Sequence, residues 1–147
     1  MDAESAVRRL GGRAKRPLLH VMSFLYVIAG VTHFVAPDLY VQIVPPYLPF
    51  PLALVYISGV AEGAFGAGLV FERTRRLAAW GIIGVLVAVF PANVYMATSD
   101  VVIQGAPGGI GDPSAAARWG RLPIQVVLVL WAWWYTRPMS EESQHPE

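Results

Sequence analysis

The chain has 147 residues, 55% of them hydrophobic and 14% charged, with a formal net charge of +1 and no cysteine. A soluble domain carries about 25% charged residues, so there is too little polar surface here to cover a globule in water, and the mean hydropathy of +0.48 agrees. The lack of cysteine excludes disulfides, thiolate metal sites and a dithiol redox centre within the chain.

Four apolar runs, at 18–36, 52–71, 77–97 and 119–136, approach the ~20 residues that a helix needs to cross a bilayer. They predict an all-α integral membrane protein, a four-helix bundle over 18–136. A basic segment, 1–17, precedes it and a polar tail, 137–147, follows, which leaves no room for a separate soluble domain. The first run follows "RRLGGRAKR" as a secretory signal would. It is longer than a signal core, is polar at His33, and meets Pro37 straight after the small residue Ala36, so a retained anchor is expected. Arg8, Arg9, Arg13, Lys15 and Arg16 precede the first run, Arg73, Arg75 and Arg76 sit in the second connection, and Arg137 follows the fourth run. The positive-inside rule then makes both termini cytoplasmic, in the cell membrane. Topology accounts for the basic N-terminus, so no nucleic-acid partner is implied.

Along the chain, the first helix runs outward and stops at Pro37, which can open a new turn with Asp38 beside it. Leu39, Tyr40, Ile43 and Val44 share one face of a short interfacial helix, with Tyr40 at headgroup depth. "PPYLPFP" is expected to stay extended and to cover the outer end of the bundle. In the second helix Gly59, Gly63 and Gly66 recur at helical spacing and admit a close neighbour. "ERTRR" is read as the turn back. Pro91 should kink the third helix, and "TSDVVIQGAPGGIGDPSAAAR" is a loop, read as a lid. Its "GGIG" is no nucleotide fingerprint, because no strand precedes it. "WAWWY" ends the fourth helix as an inner aromatic belt, matched by Trp80.

The polar residues within the spans carry the functional information. Glu62 lies near the middle of its helix, with Ser58 one turn away on the same face. His33, Asn93 and Arg121 fall roughly 10 Å outward of their helix midpoints, and Gln125 and Ser58 roughly 5 Å. Their depths predict one shared, outward-opening polar site. An ionised side chain at a helix centre costs about 2.5–3.5 kcal/mol on insertion scales. Glu62 must therefore be neutral, face water, or pair with Arg121 or His33. Each of these residues also has a plain structural reading. Ser58, Asn93 and Gln125 can be interhelical glue, Arg121 can snorkel to headgroups, and His33 can be a satisfied end-cap. A lone histidine makes no metal site, and none is expected.

The motifs "GVTHFVAPDLYVQIVPPYLP", "SGVAEGAFGAGLVF", and "FPANVYMA" followed by "RLPIQ" resemble those of the DoxX family of small four-helix membrane proteins. The resemblance implies a four-helix fold over 18–136. It also implies either a membrane subunit serving a redox partner or an assembly protein. It supplies no catalytic role for any residue. Two functions follow. One is a site for a quinone or similar amphiphile, with Arg121, Asn93 or Gln125 on its carbonyls and His33 or Glu62 exchanging protons. The other is a binding or assembly protein that holds a membrane partner on the Gly59–Gly63–Gly66 face. A transporter would need an inverted repeat of broken helices, which these spans lack.

Overall fold

The computed structural model describes residues 3–107 and 112–137. The loop motif "GGIG" and the tail "SEESQHPE" lie outside the described residues. All regular structure among the described residues is helical: α1 (Ala3–Val35), α2 (Pro37–Val41), α3 (Pro51–Gly68), α4 (Glu72–Thr98) and α5 (Ala115–Trp134). The Ala14–Val35 part of α1, α3 and α4 are each long and apolar enough to cross a membrane. That makes the chain a membrane protein by the length and composition of its helices. α5 is as long as a span, but Arg118, Arg121 and Gln125 interrupt its apolar run.

Local chemistry sets the helix ends. α1 closes with the Ala36 amide on the Thr32 carbonyl, and Pro37, which has no amide hydrogen, restarts the chain as the first residue of α2. The proline-rich segment folds into a turn instead of staying extended. The Leu48 amide donates to the Pro45 carbonyl at 3.0 Å, which puts Pro46 at the second position of the turn, where a fixed φ is favourable. Phe50 then takes a left-handed conformation, φ 55°, directly before Pro51 opens α3. "ERTRR" is not the turn between α3 and α4 but the first residues of α4, so that helix starts five positions earlier than its apolar run. The Thr74 hydroxyl donates to the Gly68 carbonyl, and the Arg75 guanidinium donates to the Leu69 and Val70 carbonyls. These bonds satisfy the last acceptors of α3 and place a cation at its negative end. Helix α4 runs on through Pro91 to Thr98. Ser114 caps α5, its hydroxyl accepting from the Ala117 amide.

α3 packs along α1 on one side and α4 on the other, while α5 packs along α4. The core lies in the half remote from α2, where Leu19, Met22 and Tyr26 of α1 meet Leu69, Ala78, Ala79, Ile82, Leu86, Ala132 and Tyr135. Tyr135, expected as part of an aromatic belt, is instead buried, and its hydroxyl donates to the Lys15 carbonyl at 3.0 Å. The outward faces stay apolar and uncovered, as at Phe24, Val31, Val60, Val87, Val127 and Leu130. Exposure of that kind suits lipid and not water.

Glycine permits a close backbone approach of α1 to α3. A Cβ added to Gly30 of α1 would lie 2.6 Å from both the Gly59 carbonyl oxygen and the Gly63 amide nitrogen of α3. The two backbones therefore touch along this line.

Candidate functional site

The half of the molecule that carries α2 holds a cavity of about 530 Å³, within the range of small-molecule sites. Its walls come from Ala29 and His33 of α1, Tyr40 of α2, and the turn segment through Ile43, Pro45 and Leu48. The remaining wall comes from α3 between Leu54 and Glu62 and from α4 between Val85 and Asn93. Most of the wall is apolar, and the polar groups on it are His33, Tyr40, Ser58, Glu62 and Asn93.

His33 is held on three sides. Its Nδ1 lies 2.7 Å from the carbonyl oxygen of Ala29, one turn back on α1. A carbonyl has no hydrogen to give, so Nδ1 carries the proton and neutral His33 keeps its lone pair on Nε2. The ring stacks on Tyr40, with centroids 3.9 Å apart and planes 24° from parallel. Across the helix interface, Gly59 makes the space: a Cβ there would lie 2.6 Å from the His33 Cβ. Nε2 then faces Glu62 Oε1 at 4.0 Å, with the two side chains 8% and 12% exposed. Tyr40 is fixed in turn by Thr32. The Thr32 hydroxyl donates to the Ala29 carbonyl at 2.7 Å, so the 2.6 Å contact between the two hydroxyls has Tyr40 donating.

Ser58 donates to the Val55 carbonyl at 2.9 Å. Asn93 donates from Nδ2 to Gln125 Oε1 at 2.8 Å, and buried Gln125 donates onward to the Leu86 carbonyl. Gln125 thus stands behind the wall and orients the Asn93 amide. Arg121 is not on the cavity wall. It is half-buried, its Nε has no hydrogen-bond partner, and the basic neighbour of Glu62 is His33. Arg118 pairs with exposed Asp100 and donates to the Ser99 carbonyl. Among the described residues no group of three or more His, Asp or Glu side chains could hold a metal ion.

The structure therefore gathers His33, Ser58, Glu62 and Asn93 at one cavity, with Gln125 behind Asn93 and Arg121 apart. Gly59 and Gly66 face α1, where a Cβ on Gly66 would meet the Tyr26 Cβ at 2.9 Å, and the Gly63 backbone receives Gly30. Sequence reasoning placed Tyr40 at headgroup depth and did not single out Thr32 or Gly30. The signal for Thr32 and His33 was present: they stand three and four residues after Ala29, the spacing at which side chains reach back to a helix carbonyl. The loop after α4 is tied to the end of α2 at Gln104, where the Gln42 side chain donates to the Gln104 carbonyl and accepts from the Gln104 amide.

No curated protein and no solved structure matches the chain. The resemblance to DoxX proteins is overturned by the family comparison, which finds a different family over the same motifs. The physical reason is that a glycine ladder with one polar residue recurs wherever two membrane helices pack closely, as Gly30 does here against Gly59 and Gly63. Residues 22–136 match the model described as "Domain of unknown function (DUF8561)", and the chain belongs to that family.

Proposed function

We propose that the protein is a four-helix bundle of α1, α3, α4 and α5 in the cell membrane, both termini cytoplasmic, and that its cavity binds an amphiphile from the bilayer, of the quinone class in size and character. The observation that carries this reading is the composition of the cavity wall. A cluster of His33, Tyr40, Ser58, Glu62 and Asn93 stands at a wall that is otherwise apolar. The wall includes Ile57 and Ala88, which also lie on the uncovered outer faces of α3 and α4, Ile57 being 65% exposed. A molecule dissolved in lipid reaches such a space sideways, with its apolar body toward the bilayer and its polar head toward Glu62. Lys15 and Arg137 stack on Trp134 and Trp133 near the bond from Tyr135 to the Lys15 carbonyl. This gathers positive charge at the end remote from α2, which is the cytoplasmic end by the positive-inside rule.

The alternative of an assembly protein using the Gly59–Gly63–Gly66 face is weakened, because α1 occupies that face. Native mass spectrometry from nanodiscs tests the reading on wild type, Glu62→Gln and the cavity-filling Ala61→Phe. A lipid-soluble molecule of quinone size should travel with wild type and be lost from Ala61→Phe. If all three carry the same phospholipids and nothing else, the cavity is not a ligand site.

A further inference from the structure

The polar groups around the cavity share a property that decides what could sit among them. Their donor hydrogens point away from the cavity, into the protein. His33 Nδ1, the Thr32 hydroxyl and the Ser58 hydroxyl all donate to backbone carbonyls, and Tyr40 donates to Thr32. One Nδ2 hydrogen of Asn93 is engaged by Gln125. What remains for an occupant is almost entirely acceptors: His33 Nε2, the Ser58 and Tyr40 lone pairs, the Asn93 Oδ1 and the Glu62 carboxylate. The single exception is the second Nδ2 hydrogen of Asn93. This is the inventory with Glu62 ionised, and a proton on its carboxyl would add one donor, since His33 Nε2 at 4.0 Å is too far to take it up directly.

We propose that the cavity selects its occupant by the hydrogen-bond donors of the head. An alcohol, a phenol or quinol, or a protonated amine on an apolar body is taken in preference to a ketone, an ester or a carboxylate. The 4.0 Å between His33 Nε2 and Glu62 Oε1 is too long for a direct hydrogen bond. An ammonium head set beside both atoms can donate to each, and a hydroxyl, with one hydrogen, donates to one of them. A carbonyl head there would put acceptor against acceptor. A carboxylate head fares worse, since the described lining contains Glu62 and no Lys or Arg to balance a second negative charge. For a redox-active occupant, the reduced hydroxyl form is the one held more tightly.

This inference rests on the cavity being a ligand site, and the experiment separates the two. Native mass spectrometry in nanodiscs is titrated with dodecylamine, 1-dodecanol, 2-dodecanone and dodecanoate, probes with the same tail length, against wild type and Ala61→Phe. The expected result is retention of the amine and the alcohol about tenfold above the ketone and the carboxylate, one hydrogen bond's worth, with the difference absent in Ala61→Phe. Equal retention of all four by wild type, lost in Ala61→Phe, keeps the ligand site and overturns donor selection. Equal retention by both proteins overturns site and selection together. Glu62→Gln, whose amide adds a donor, should narrow the ratio of alcohol to ketone. An unchanged ratio would remove Glu62 from the selection.

Discussion

Replacing Gly30 by alanine puts the α1–α3 contact to a quantitative test. The added Cβ would lie 2.6 Å from the Gly59 oxygen and the Gly63 nitrogen and 2.9 Å from the Gly63 Cα, all of them backbone atoms. No side chain can swing aside, so the helices must separate. Moving from 2.6 Å to the 3.4 Å at which ordinary contact begins requires 3.4 − 2.6 = 0.8 Å. Overpacking of this kind costs about 1–3 kcal/mol, against a helix-propensity gain of roughly 0.5–1 kcal/mol for alanine over glycine. Gly63→Ala is the matched control, because a Cβ there meets nothing within 4 Å. The assay is reversible unfolding of both variants in bicelles. Gly30→Ala should be destabilised by about 1–2 kcal/mol, while Gly63→Ala should match or slightly exceed wild type. A Gly30→Ala protein as stable as wild type, or a Gly63→Ala protein equally damaged, would refute the contact. Because Gly59 also makes room for His33, separation of α1 from α3 should lower cavity occupancy in Gly30→Ala as well.

Two further outcomes are expected. Gln125→Leu, close in volume, removes the bonds to Asn93 and to the Leu86 carbonyl. It should cost about 0.6–1.7 kcal/mol in the same unfolding assay, and a neutral result would mean that the pair does not hold α5 to α4. Gln42→Ala removes both bonds to Gln104. It should speed amide exchange in residues 99–107 while leaving α3 and α4 protected, and unchanged exchange would show that the loop is held by something else.

The depth of the polar residues was legible in the sequence, since rise per residue converts position into distance along a helix. That is why His33, Ser58, Glu62 and Asn93 could be expected to share a site. Direction around the helix was harder to read. Arg121 and Gln125 are one turn apart on α5, yet Gln125 is buried against α4 and Arg121 stands off the cavity wall. Residues one turn apart share a helix face, so spacing alone could not say which of the two would meet Asn93 or that neither would line the cavity. The partner of the glycine ladder was equally hidden. Gly59 and Gly66 announce a close approach but not whether it comes from within the chain, and Gly30, a lone glycine in an apolar run, does not advertise itself. The proline-rich segment misled for a local reason: Pro46 favours a turn as readily as an extended strand, and the Pro45–Leu48 bond selects the turn.

The bond from Tyr135 to the Lys15 carbonyl joins positions 120 apart in the chain. During synthesis, α1 and α3 can meet as soon as both are inserted, and α4 can then receive α5, each step needing only the helix just made. The seam between first and last helix has no such neighbour in time. It carries the largest loop-closure entropy of any contact described here and is rewarded last. Until Ala132 and Tyr135 emerge, the cluster of Leu19, Met22, Leu69, Ala79 and Ile82 lacks its last members. The nascent chain therefore passes through a stage in which three helices are in place and the core is still open along one edge.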